Sequence, residues 1–224
     1  MPRIHRYLAD GYFYHVINRG NGKQKIFHKD QDFAVFIQIM KEAKKHFSID
    51  IFAYCLIPNH FHMVLMPNQP DHLSMWMHWL MSTHANRYRQ HYKTTGHLWQ
   101  GRFKSFIIQN DEHLITVLRY VEANPLRAGL VFSAKDWLWS SLRERIDERT
   151  ETIISDLPFE LSSDWIKFVD EPLTKKELER IRQSVIRQSP FGTLEWQNEI
   201  SKELKIECTL RPRGRPRKES RMRS

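Results

Sequence analysis

Hydrophobic positions along the chain fall into short runs of two periods. Residues 12–17, Tyr-Phe-Tyr-His-Val-Ile, are aromatic and β-branched, so they predict a first strand that ends in the turn-forming residues 18–22. Asp32, Phe33, Phe36, Ile37, Met40 and Ala43 then recur at helical spacing, with Asp30 placed to cap a helix of about four turns. Two apolar runs, 49–57 and 60–66, are joined by Pro58-Asn59 and predict a hairpin. Its second strand is apolar on both faces apart from His60 and His62, which argues for a central position. A long helix is predicted over 71–92, with Leu73, Trp76, Met77, Leu80, Met81 and His84 on its inner side. A turn at 94–96 leads to a strand at 106–109, and Asp111 can cap the next helix, whose stripe is Leu114, Val117, Leu118 and Val121. That helix should stop near Asn124, because Pro125 disfavours helical geometry just before it.

The order strand, helix, two strands, helix, strand, helix predicts an α+β fold, an antiparallel sheet with helices packed on one side. Leu126, Leu130, Val131, Trp137, Trp139 and Leu142 read as material belonging to the same unit, so a first domain is expected over 1–142. Residues 143–210 read as a small helical C-terminal extension, with helices at 174–188 and 193–205. Residues 211–224 are too rich in charge, proline and glycine to fold alone and read as a flexible basic tail.

A length of 224 residues suits one well-packed domain plus an appendage. No apolar run approaches a membrane span and no signal-like segment follows the basic start, so a cytoplasmic protein with no membrane partner is expected. Cys55 and Cys208 show no disulfide or zinc-ribbon pattern and read as free thiols. The net charge of +9 points to a polyanionic partner, and six arginines, one lysine and one glutamate after position 210 carry +6 of it.

Candidate chemistry lies in two stretches. Alternate residues share one face of a strand, so His60 and His62 point the same way, roughly 7 Å apart at the backbone, and both imidazoles can reach one ion. Tyr120 and Asn124 stand one helical turn apart on a single face. Each has a bland alternative: buried structural histidines, a tyrosine at the edge of the core, and an asparagine that merely ends a helix. Along 99–106, Trp99, Arg102, Phe103 and Lys104 alternate rings with cations, the way single-stranded nucleic acid is often held; the competing view is a strand whose rings face the core. Arg87 belongs to a basic, aromatic helix end that either meets nucleic acid or is solvated.

Four motifs in order resemble the REP-associated tyrosine transposases, within the histidine-hydrophobe-histidine single-strand DNA transposases that use one tyrosine. They are Asn18-Arg19-Gly20-Asn21, the run from Tyr54 to His62 ending in Asn59-His60-Phe61-His62, the run Trp99-Gln100-Gly101-Arg102-Phe103-Lys104-Ser105-Phe106, and Arg119-Tyr120-Val121-Glu122-Ala123-Asn124-Pro125-Leu126-Arg127-Ala128-Gly129-Leu130. The resemblance spans roughly residues 12–142. It implies a ferredoxin-like sheet, Tyr120 as nucleophile, and His60, His62 and Asn124 as ligands of a divalent cation, Mg2+ or Mn2+. It also raises Asn18, Arg19, Gly20 and Asn21 from a turn to a DNA contact. The 213–217 core of the tail, Arg213-Gly214-Arg215-Pro216-Arg217, resembles an AT-hook, with Arg211 and Lys218 flanking it; the alternative is an electrostatic tail.

A free phenol with pKa near 10 is about 0.1 % ionised at pH 7, a handicap of roughly 4 kcal/mol, so something must favour the phenolate and the transition state, and a divalent cation could polarise the phosphate. The reaction implied is nicking and rejoining of single-stranded DNA beside a REP-like hairpin through a 5′-phosphotyrosine, by a monomer or a homodimer. A non-catalytic hairpin-binding regulator on the same fold is the main alternative. A zinc hydrolase is weaker, for no general-base carboxylate accompanies the histidines.

Overall fold

The computed structural model of the chain describes residues 8–147 and 152–211. Its centre is a four-stranded antiparallel sheet built from β1 (Phe13–Arg19), β2 (Ile49–Ile57), β3 (His60–Pro67) and β4 (Lys104–Ile108), in the order β2-β3-β1-β4. Helix α1 (Asp30–His46) joins β1 to β2, and α2 (His72–Tyr92) joins β3 to β4. Two strand-helix-strand units interleaved in this order form the ferredoxin-like arrangement. Helix α3 (Glu112–Glu122) and the single turn α4 (Asn124–Arg127) follow.

The helices do not all lie on one side, as the element order had suggested. Phe33, Phe36, Met40, Leu73, Trp76 and Leu80 of α1 and α2 pack with Val16, Phe61, Met63 and Leu65 on one face. Leu114, Val117, Leu118 and Val121 of α3 pack with Phe13, Ala53, Val64 and Phe106 on the other. Both faces are therefore covered, and the reason is visible in β3: Phe61, Met63 and Leu65 alternate with Val64, so neither face is left polar. Only the head of β3, where His60 and His62 stand, breaks the apolar run.

The remaining described helices pack on both faces: α5 (Ser141–Ile146), α6 (Trp165–Asp170), α7 (Lys175–Arg187) and α8 (Leu194–Glu203). Trp165, Val169, Ile181 and Phe191 join the α3 side, while Ile153, Ile200 and Leu204 join the α1 side. Thr174 and Thr193 cap α7 and α8, accepting from the amides of Glu177 and Trp196. One buried carboxylate pins this segment down: Glu122, fully enclosed, accepts from Ser141 Oγ (2.6 Å), Arg145 Nε (2.9 Å) and Trp165 Nε1 (2.7 Å).

Both outer strands are bordered by irregular chain. Phe191 bonds along β4, its amide donating to the Ile107 carbonyl (2.8 Å) and its carbonyl accepting from Gln109 (3.0 Å). Along β2, Leu56 N donates to Trp139 O (2.9 Å) and Ser155 N to Ile51 O (2.7 Å). Cys55 is buried and Cys208 exposed, both free thiols. Among the described residues, no helix is long and apolar enough to cross a membrane.

Candidate active site

β3 begins with His60 immediately after the Pro58-Asn59 turn, and the pleat puts His62 beside it on the α3 face; their ring centroids are 5.0 Å apart. α3 crosses this face so that the Tyr120 ring meets His62 edge-on at 5.5 Å. The three side chains singled out in the sequence thus converge, although some sixty residues separate the histidines from the tyrosine. Tyr120 is more enclosed than its position at the margin of the stripe suggests, at 6 % exposure.

Two further residues complete the cluster, and sequence reasoning missed both. His15 of β1 lies fully buried with Nε2 2.9 Å from His62 Nδ1, and its ring is 5.9 Å from that of Tyr120. The pairing of Ile17 with His62 creates this contact by setting His15 diagonally across from it on the same face. Arg127 lays its guanidinium carbon 3.9 Å from the Tyr120 ring centre and donates from Nη1 to the Tyr120 carbonyl (3.1 Å). In the sequence it figures only as a member of the fourth motif.

All three imidazoles are held neutral. Burial, and after it the Arg127 charge, pushes His15 down to about 3. His60 is pushed down to about 4 by burial, then by Arg127 and Arg19. His62 lies well below the ordinary value through burial and its two histidine neighbours. Neutral imidazole is the form that binds metal. Each ligand candidate also has its Nδ1 engaged by the protein, His60 with Asn59 Oδ1 (2.7 Å) and His62 with His15, so Nε2 is left on both. The donor set therefore fits a divalent cation, in the manner of histidine ligands whose second nitrogen is held from behind.

Asn124 is turned differently. Its amide nitrogen donates to the carbonyls of Tyr120 (3.1 Å) and Val121 (3.3 Å), and its Oδ1 accepts from Arg127 Nη2 (3.1 Å), so the side chain closes its own helix and keeps one Oδ1 lone pair. A second set of metal-type donors, Asp111, Glu112 and His113, lies within 4.8 Å of one another at the start of α3. Asp111 there accepts from the amide and Nδ1 of His113 (2.8 and 2.7 Å), and Arg180 approaches Nε2 (3.3 Å), so the trio caps α3 and ties it to α7.

The first and third motifs prove to be one unit. Gly20 bridges to Trp99, Gln100 N donates to Arg19 O (2.9 Å), and Asn21 N donates to Leu98 O (2.8 Å). Asn18, 6 % exposed, braces it by donating to Gly101 O (3.1 Å), with its Oδ1 on Arg19 N (2.8 Å). A Cβ on Gly20 would lie 2.3 Å from Gln24 O, so only glycine fits. Trp99 and Phe103 take up the core-facing alternative: at 7 % and 6 % exposure they belong to the α1 side of the core, and Trp99 Nε1 donates to Met81 O (3.0 Å). Their edges still line a groove beside α2, along with Arg89, His97 and Arg102. Arg19, paired with Gln100 Oε1, and Arg102 and Lys104 are exposed at the same end of the sheet as His60, with Asn21 nearby. Arg87 is exposed on α2, on the face away from Tyr120. Arg211 is the last described residue, and Arg213, Arg215, Arg217 and Lys218 of the AT-hook-like stretch lie outside the described residues.

The fold is thus a ferredoxin-like α+β sheet with two neighbouring imidazoles under a helical tyrosine. The chain belongs to the IS200-like transposase family, whose model matches residues 9–124. It is 28 % identical over 122 residues to a Haemophilus influenzae protein named, provisionally, a REP-associated tyrosine transposase, covering 50 % of this chain and 69 % of that one. Among solved structures, a REP-associated tyrosine transposase bound to a REP hairpin superposes with a TM-score of 0.55 at 19 % identity, over 73 % of this chain and 96 % of that one. A provisionally assigned transposase of Deinococcus radiodurans gives 0.38 at 18 % identity, over 55 % and 96 %. The first superposition bears on the fold alone.

Proposed function

We propose that this chain is a single-strand DNA nickase and strand transferase acting beside a REP-type hairpin, with Tyr120 as nucleophile. The observation that carries the reading is the meeting of His60, His62 and Tyr120 on one sheet face, with ring separations of 5.0 and 5.5 Å. Membership in the IS200-like family and similarity to a protein bound to a REP hairpin support the substrate class.

In this reading His60 and His62 hold a divalent cation through Nε2, and Asn124 can join only through its remaining Oδ1 lone pair. Mg2+ and Mn2+ are the cations proposed, which supply charge neutralisation at a non-bridging phosphate oxygen when bound. Tyr120 Oη loses its proton and attacks phosphorus, the bond to the 3′ oxygen breaks, and the departing oxygen takes up one proton to become a 3′-hydroxyl, so the exchange is proton-neutral overall. The phosphate stays on Tyr120 as a 5′-phosphotyrosyl diester. One diester replaces another, so a second 3′-hydroxyl can reverse the step and join strands. Arg127, against the Tyr120 ring, favours the negative charge that develops on the phenol. Arg19, Arg102 and Lys104 would take up the phosphates leading to the scissile bond, and the 211–224 tail would add sequence-independent affinity.

The test is to incubate the protein with end-labelled single-stranded hairpin DNA and Mg2+ or Mn2+, resolve the products on a denaturing gel and map the modified residue. A covalent adduct on Tyr120 that disappears in Tyr120→Phe is expected. No adduct with either cation, or an adduct that persists in Tyr120→Phe, defeats the reading. Intact hairpin binding without any adduct would instead support the non-catalytic regulator.

A further inference from the structure

The two imidazoles at the head of β3 are held from behind in different ways. His60 Nδ1 faces Asn59 Oδ1 at 2.7 Å, and Asn59 Nδ2 points to the Lys23 carbonyl at 3.4 Å, which orients the carboxamide. An amide oxygen only accepts, so His60 carries its proton on Nδ1 and leaves Nε2 bare. His62 Nδ1 faces Nε2 of His15 at 2.9 Å, an atom able to donate or accept. His15 is fully buried beneath Phe106, and its Nδ1 has no hydrogen-bond partner.

Two proton arrangements satisfy this pair. In one, His15 Nε2–H donates; His62 then bears its proton on Nε2, where it cannot be a ligand, and His15 buries a bare lone pair. In the other, His62 Nδ1–H donates to His15, His62 Nε2 is free, and the His15 proton sits on the partnerless Nδ1. Each ring keeps one proton in both, so no charge enters the core. We propose that His15 is a positioning residue for His62 in the cation-bound protein: there it takes the accepting role toward His62 Nδ1, which frees His62 Nε2 as a ligand and matches the tautomer that Asn59 imposes on His60.

The inference rests on the reading of His60 and His62 as cation ligands. Removing a hydrogen-bond partner behind a ligating histidine commonly costs 10–100-fold in metal affinity. Mn2+ titration of the full chain without DNA should show a loss of about that size in His15→Leu, and near wild-type affinity in His15→Gln, whose side-chain oxygen can still accept. Long-range 1H–15N spectra of the wild type saturated with diamagnetic Mg2+ should show His62 protonated at Nδ1. Wild-type Mn2+ affinity in a folded His15→Leu protein overturns the proposal, as does a His62 protonated at Nε2 with Mg2+ bound. His60→Ala separates the two levels: if it too leaves Mn2+ binding unchanged, the ligand reading fails and takes this one with it. If it abolishes binding while His15→Leu does not alter it, only the role of His15 falls. Should His15→Leu fail to fold, the glutamine variant and the wild-type spectra decide, a glutamine variant as weak as His60→Ala counting against the proposal.

Discussion

The guanidinium of Arg127 rests 3.9 Å above the ring of Tyr120 while also bonding the Tyr120 backbone and the Asn124 carboxamide. A planar cation stacked on the ring is fixed from three directions, so it meets any charge forming on the phenol without moving. Arg127→Ala is expected to slow adduct formation about 5- to 30-fold, in line with ~1–2 kcal/mol for a partly desolvated cation–π contact. Arg127→Lys should recover little, because an ammonium neither stacks nor forks in this way. Single-turnover gels give the rate, and an equal loss in hairpin affinity would mean that Arg127 binds DNA and does not assist the nucleophile.

Stability should fall on acidification. His84, pushed down to about 3 by burial among Phe27, Phe36 and Trp99, stays neutral in the fold but gains a proton near pH 6.5 once unfolded. Its contribution is therefore whole above pH 6.5 and declines as pH falls toward about 3, by ~1.4 kcal/mol at pH 5.5. His15 and His60 act in the same sense. Urea midpoints between pH 7.5 and 5 should drop steadily, and His84→Leu should flatten that slope by about one proton. An unchanged slope would place the linkage elsewhere.

Glu122 offers a test of the packing beneath the site. Its enclosed carboxylate pairs with Arg145 and bonds Ser141 and Trp165, so Glu122→Gln leaves Arg145 uncompensated. A cost of ~3 kcal/mol is expected in equilibrium unfolding. A change under about 1 kcal/mol would show that water reaches Arg145 and that the segment from α5 to α6 is less tightly joined to α3 than the geometry indicates.

Deleting residues 211–224 removes six arginines and one lysine. Hairpin binding should weaken, and the slope of log affinity against log salt should fall by about 0.7–0.9 for each phosphate that the tail neutralises in the intact chain. Fluorescence anisotropy at several salt concentrations measures it; an unchanged slope means those charges do not meet phosphate.

How much of this was legible depended on range. The shared face of His60 and His62 was readable because strand period is local, as were the turn at Pro58-Asn59 and the helical spacing after 174 and 193, while Tyr120 stood out through the motif that resembles the tyrosine transposases. His15 could not, since its contact with His62 exists only once the β1–β3 register is set. Arg127 lies beyond the break at Pro125, where helical spacing no longer says what faces Tyr120. Trp99 and Phe103 misled because alternating rings and cations look alike whether the rings face DNA or a core formed by residues far away in the chain. The placement of helices on both faces was also hidden, for an apolar stripe does not say which face receives it.

The backbone hydrogen bonds that irregular chain makes along β2 and β4 have a consequence for how copies of this chain can meet. With Phe191 bonded to one outer strand and Trp139 and Ser155 to the other, part of each border among the described residues is already taken and offers a stranger a shortened ladder of amides and carbonyls. Pairing of copies along those stretches would first have to peel away a segment of the chain itself.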